Sequence, residues 1–163
     1  MPRKDAEEYL GGLGGAQMIR RILHATDFSP ASQAAFKKAV ELAKQNRAEL
    51  VVLHVMSPVV YTTGEGYMSP KMYDELAAST RAWANGQLDR QLRKAKAAGV
   101  RARGLLLEGL AHDQIVRAAK SQRADLVVIG THGRSGLAKF FVGSVAGRVV
   151  SAAPCPVLTV RGK

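Results

Sequence analysis

The residues best suited to chemistry lie late in the chain. Gly130-Thr131-His132-Gly133 follows an apolar run ending at Ile129, and Gly143-Ser144-Val145 opens an amphipathic one. Glycines at a strand end let backbone approach a ligand and tolerate positive φ. The first N–H groups of a helix point outward without intrahelical partners, and the positive end of its dipole stabilises an anion. Ser144 adds a hydroxyl donor, and Arg134 and Lys139 bring positive charge to the intervening loop. In physical terms this is a phosphate cradle. An ordinary glycine-rich loop with Ser144 as a plain helix cap explains the same residues about as well; only the anion argument tilts the choice.

Thr26-Asp27 is the second candidate, placed after the first apolar run. Acidic residues there often cap a turn or the next helix. Ser29 is available for that task, which leaves Asp27 for a ligand. The histidines are His24, His54, His112 and His132; none pairs at i,i+3 or i,i+4, and Cys155 stands alone, so no metal site is expected. His24 and His54 are expected in or near the sheet, hydrogen-bonded. His132 could donate to a phosphate or order its loop. Cys155, between Pro154 and Pro156, reads as a small buried residue at a strand entry. No Gly-x4-Gly-Lys-Ser/Thr sequence is present, and the early Gly12–Gln17 run lacks the last glycine of a dinucleotide fingerprint and precedes the first strand. No nucleophile–base set can be nominated, so no catalytic residue is.

The elements that must position these residues follow from periodicity. Ile19–Thr26, Leu50–Val55, Val100–Glu108, Leu126–Ile129 and Pro156–Val160 read as strands. Leu50–Val55 is almost continuously apolar, as a strand covered on both faces is. Helices are predicted from Ser29-Pro30, a cap and first-turn pair, through Ala43; over Lys71–Ala98, stopped by Gly99; over Ala111–Ser121; and over Gly143–Ala152. Strict βαβαβαβαβ alternation implies a parallel sheet with helices on both faces, and ligands of such sheets lie outside the carboxyl ends of the strands where strand order reverses. Met56–Pro70 reads as a loop. Met1–Gln17 reads as a flexible N-terminal extension, with a short helical piece near Ala6–Leu10, and 18–163 as a single domain.

Composition narrows the classes. The chain has 163 residues, 47% hydrophobic and 23% charged, which are globular values. It has no apolar run of membrane-spanning length and no signal-like leader, and a lone cysteine suits a reducing, cytoplasmic setting. The net charge of +11 favours anionic partners without choosing among them. The basic stretch with Arg90, Arg93, Lys94 and Lys96 has few aromatics nearby and reads as a solvated helix face, which makes nucleic acid an unlikely partner.

Gly130-x2-Gly133-x9-Gly143-Ser144 resembles the nucleotide-binding motif of the universal stress protein family. Ile22-Leu-His-Ala-Thr-Asp27-Phe-Ser29, Asp125-Leu-Val-Val-Ile-Gly-Thr-His-Gly-Arg-Ser-Gly-Leu137 and Ala153-Pro-Cys-Pro-Val-Leu-Thr-Val160 resemble that family too, over about Met18 to Val160. The resemblance implies an α/β, Rossmann-like (adenine nucleotide alpha hydrolase-like) doubly wound five-stranded parallel sheet of order 3-2-1-4-5, usually a homodimer, pairing through the C-terminal strand. It implies the ATP-binding branch; Mg2+ is an optional companion of the ATP. Asp27, beside Thr26, would contact adenine or ribose; Val55 would hold adenine through its backbone; Gly130 and Gly133, with Ile129, Thr131 and His132 around them, would line ribose and phosphates; Gly143, Ser144 and Val145 would bind phosphate. Ala146 stands where some members carry a hydroxyl.

The expected function is therefore an ATP-binding stress-response regulator with slow or no ATP hydrolysis. The alternatives are a nucleotide-independent module whose basic surface recruits an acidic partner, and a slow ATPase.

Overall fold

The computed structural model describes residues 18–58, 69–131 and 143–162. The extension expected over Met1–Gln17 and most of the expected Met56–Pro70 loop lie outside them. The elements are β1 (Arg21–Ala25), α1 (Pro30–Asn46), β2 (Glu49–Met56), α2 (Pro70–Ala97), β3 (Ala102–Glu108), α3 (Ala111–Ser121), β4 (Leu126–Gly130), α4 (Ser144–Ala152) and β5 (Val157–Val160). All strand pairs are parallel and the order is β3-β2-β1-β4-β5. β1 pairs with both β2 and β4, so strand order reverses beside its carboxyl end.

Two-residue periodicity divides the core. Ile22, Leu50, Val52 and Val128 face α1 and α2, where Phe36, Ala39, Leu88 and Ala95 pack. Leu23, Val51, Leu53 and Val127 face α3 and α4, where Ile115, Ala118, Ala119 and Val149 pack. Val51, Val52 and Leu53 are fully buried, as an apolar strand between two helical layers must be.

Local chemistry sets the helix ends. Ser29 Oγ accepts from Ser32 N at 3.2 Å and Pro30 occupies the first turn. Ser69-Pro70 repeats the device, with Met72 N donating to Ser69 Oγ at 3.3 Å, so α2 starts a residue before the predicted Lys71. β3 begins at Ala102 rather than Val100, because Val100 N still bonds Ala95 O at the end of α2. Arg47 closes α1 at φ 54° and Arg123 follows α3 at φ 51°, both exposed. Left-handed backbone suits glycine there. Arg47→Gly and Arg123→Gly should therefore each stabilise the fold by about 0.5–1 kcal/mol. Thermal denaturation checks this, and a lowered Tm would contradict it.

At the amino ends of the strands, Glu49 bridges Arg21 Nε at 2.7 Å and Arg103 Nε at 2.9 Å. Burial works against this carboxylate, but the two guanidiniums outweigh it and hold the carboxyl below its ordinary range. The basic face carrying Arg90, Arg93, Lys94 and Lys96 is exposed, as predicted. No helix among the described residues is long and apolar enough to cross a membrane.

Candidate functional site

The carboxyl ends of β1, β2 and β4 and the first turns of α1, α3 and α4 surround a cavity of about 370 Å3. Thr26 and Asp27 reach it from the end of β1, Val55 from β2, and Ile129, Gly130 and Thr131 from β4. Gly143, Ser144 and Val145 close it from α4. The structure thus gathers every predicted site residue it describes into one cavity. His132 and Gly133 lie outside the described residues.

The α4 side presents backbone donors to the cavity. Gly143, not Ser144, is the N-cap, and no side chain among the described residues caps the helix. Gly143 N donates to Thr131 O, and Gly147 N is the first to bond back within the helix, to Gly143 O at 2.9 Å. The N–H groups of Ser144, Val145 and Ala146 therefore precede the first intrahelical bond and carry the positive end of the dipole. This answers the plain-cap reading of Ser144: its hydroxyl makes no cap bond, and the residue lines the cavity.

The opposite wall is acidic and ordered. Asp27 Oδ1 accepts from Ser29 N at 3.0 Å. Burial pushes the Asp27 carboxyl up, but hydrogen bonds from Ser29, Ser32 and its own backbone outweigh it, so the group sits below its usual value and stays ionised at neutral pH. Behind it, Thr26 Oγ1 accepts from Phe28 N at 3.0 Å and lies 3.1 Å from Ser32 Oγ and 3.4 Å from Gln91 Nε2. His54 Nδ1 donates to Thr26 O at 2.8 Å, and His24 Nδ1 to Val128 O at 3.1 Å. Both histidines are buried and hydrogen-bonded in the sheet, as predicted.

Gly130 permits the close approach of β4 to α1: a Cβ there would stand 3.3 Å from Ala31 O. Gly162 meets Ala31 from another side, where a Cβ would lie 2.7 Å from its Cα. Cys155 differs from expectation. It is only half-buried, although burial, then the Asp125 charge, pushes its thiol up and away from reactivity.

Sequence reasoning missed Ser32, Leu53, Ala111 and Ile115 among the lining residues. Ala111 opens α3 just past a strand end, which was a usable signal. Leu53 and Ile115 looked like any core residue. No group of three metal-ligating side chains occurs among the described residues.

A parallel, doubly wound sheet with an open cavity at its switch point defines a Rossmann-like domain with a candidate ligand site. The family model described as the universal stress protein family matches residues 18–161, and the chain belongs to that family. It is 36% identical over 149 residues to universal stress protein MJ0531 of Methanocaldococcus jannaschii, covering 90% of this chain and 85% of that one. It is 35% identical over 148 residues to universal stress protein YxiE of Bacillus subtilis, covering 88% and 100%. The solved structure of MJ0577 superposes with a TM-score of 0.78 at 25% identity, covering 90% of this chain and 98% of that one. The fold is shared with a universal stress protein in complex with cAMP (TM-score 0.67, 24% identity, 90% and 99% covered). It is shared also with an Arabidopsis thaliana member with AMP bound (0.64, 24%, 88% and 92%) and an Archaeoglobus fulgidus member in complex with dAMP (0.60, 23%, 88% and 98%).

Proposed function

We propose that this protein binds an adenine nucleotide, with ATP as the ligand, and serves as a cytoplasmic, nucleotide-dependent regulator in the stress response. One juxtaposition carries the reading: the uncapped first turn of α4 opens on the same cavity as the Asp27 carboxylate, across the switch point. An ionised carboxylate accepts hydrogen bonds and repels phosphate. Asp27 therefore suits ribose hydroxyls or the adenine amino group, while phosphates fall to the Ser144, Val145 and Ala146 N–H groups and the Ser144 hydroxyl. Leu53, Ile129 and Ile115 supply apolar wall for the base, and the Val55 backbone a polar edge. The volume falls within the ~300–1,000 Å3 of small-molecule sites. His132 and Gly133, which the family resemblance assigns to ribose and phosphates, lie outside the described residues. The nucleotides named for three proteins of this fold are all adenine nucleotides, which supports the choice of base.

Fast hydrolysis needs an oriented water and stabilisation of transition-state charge. Asp27 is the one ionisable side chain among the described lining residues, and the α1 turn already engages it. A Mg2+ ion would take its ligands from the phosphates and water. The protein is thus expected to hold ATP and turn it over slowly or not at all.

Purified protein should release an adenine nucleotide on denaturation, identified by mass spectrometry, and calorimetry should rank ATP, ADP and AMP. A preparation that releases none and binds none at millimolar concentration would refute the reading. β5 is an edge strand whose Val157–Val160 are only half-buried in one chain, and open edges tend to pair. Pairing across a two-fold axis at β5 makes a homodimer, with twice the 17.5 kDa chain mass by light scattering at micromolar concentration. A monomeric mass would sink the dimer alone.

A further inference from the structure

Phe28 lies in the left-handed region, at φ 63°, between Asp27 and Ser29. That conformation is strained for a bulky side chain and persists only where its surroundings enforce it. Three contacts do so here. Its N–H donates to Thr26 Oγ1 at 3.0 Å. Its ring lies on the His54 imidazole, centroids 4.5 Å apart at 36°. Trp83 meets it edge-on, centroids 5.6 Å apart at 86°. His54 is itself anchored to Thr26 O, and Trp83 projects from α2 with 47% of its surface exposed.

The three rings come from three elements, the β1–α1 turn, β2 and α2, and they meet behind the residue that faces the cavity. The neighbouring bonds depend on the same turn. Asp27 Oδ1 accepts from Ser29 N across Phe28, and Ser29 caps α1. If residue 28 left the left-handed region, the peptide planes on both sides would rotate. The Asp27–Ser29 bond would open and the carboxylate would leave its place on the cavity wall.

We propose that Phe28 is a positioning residue for the nucleotide site: its ring, clasped by His54 and Trp83, holds the strained turn that presents Asp27, and Trp83 thereby reports occupancy of the cavity at the outer surface of α2. The inference rests on the nucleotide reading above. It implies that the strain at Phe28 is maintained by ring packing, not by the backbone's own preference. The depressed Asp27 carboxyl, held by Ser29 and Ser32 despite its burial, is the state this turn maintains.

The test uses the full chain titrated with ATP, followed by calorimetry and by the emission of Trp83, its only tryptophan. Wild-type emission should change and saturate at the calorimetric Kd. Phe28→Gly frees the backbone but removes the ring; ATP affinity should fall about tenfold or more, and emission should no longer respond. Phe28→Tyr keeps the ring and should restore both. Without nucleotide, the Asp27 carboxyl followed by NMR should titrate closer to the ordinary ~3.9 in Phe28→Gly than in wild type. Should Phe28→Gly not fold, Trp83→Leu at its exposed helical position decides the matter, with affinity expected to fall about three- to tenfold. Wild-type affinity in Phe28→Gly, or in Trp83→Leu where that variant decides, overturns the inference alone, as does emission that stays constant at saturating ATP. Wild-type protein that binds no adenine nucleotide overturns it together with the function.

Discussion

Ser144→Glu should weaken nucleotide binding sharply while leaving the helix at least as stable as before. Ser144 is the first residue of an uncapped helix and lines the cavity. A carboxylate in a first turn interacts favourably with the helix dipole, by about 0.3–1 kcal/mol. The same carboxylate occupies the space assigned to phosphate and repels it. At about 4 Å, two like charges near a protein surface oppose each other by roughly 1–4 kcal/mol, depending on the local dielectric. Affinity for ATP should therefore fall by about 5- to 1,000-fold, while Tm holds or rises. Opposite signs for binding and stability distinguish this result from simple unfolding. Ser151→Glu is the control, near the far end of the same nine-residue helix. At 1.5 Å per residue it lies about 10 Å away, beyond the ~8 Å screening length at physiological salt, and should leave affinity within about twofold. Calorimetry and thermal denaturation of both variants provide the measurements. Undiminished binding in Ser144→Glu would remove phosphate from the start of α4.

The second large effect concerns acid. His24 is fully buried in β1, with Nδ1 donating to Val128 O and no partner for Nε2 among the described residues. A second proton would have to sit on that enclosed nitrogen. Burial lowers the folded pKa from 6.5 to about 4, against smaller raising effects from Val128 and Asp27. The unfolded chain thus takes up a proton between those two values while the folded one resists it. Stability is full above pH 6.5, declines as pH falls through this interval, and levels off below about 4. The group's whole contribution is on the order of 3 kcal/mol, with about 2 kcal/mol lost by pH 5. Urea denaturation from pH 7.5 to 4.5 would show it. His24→Leu, which cannot titrate, should flatten the profile over that interval. An equal decline in His24→Leu would assign acid lability elsewhere; the depressed carboxyls of Asp27 and Glu49 lose their contribution mainly as pH falls below their ordinary values of 3.8 and 4.5.

Much of the architecture was legible because each piece had a local cause. Apolar runs such as Leu50–Val55 can only be strands between two layers, and Ser29-Pro30 marks a helix start by its own chemistry. Strand order was not readable from the residues, since pairing is a long-range choice; it came with the family resemblance and agrees with the sheet. The site was half legible. Gly130, Ser144 and Asp27 carry signals in type and spacing, but Leu53 and Ile115 are apolar residues whose facing a cavity depends on how two helices splay. The alternative of Ser144 as a plain cap rested on serine being the better cap in general, whereas in α4 Gly143 holds the cap position and Ser144 is the first helical residue. The left-handed Phe28 gave no warning at all, since phenylalanine is a poor candidate for that backbone and only the rings around it make the exception.

Ala31 sits where two residues without side chains close in, Gly130 from the sheet and Gly162 from the tail. Anyone reshaping this pocket by mutagenesis therefore inherits one fixed corner. Diversity can be introduced along the α3 wall, whereas a Cβ on Gly162, 2.7 Å from Ala31 Cα, would force backbone apart, and one on Gly130, 3.3 Å from Ala31 O, would need the helix start to yield slightly. A library that spares Gly162 and Ala31 keeps this corner closed.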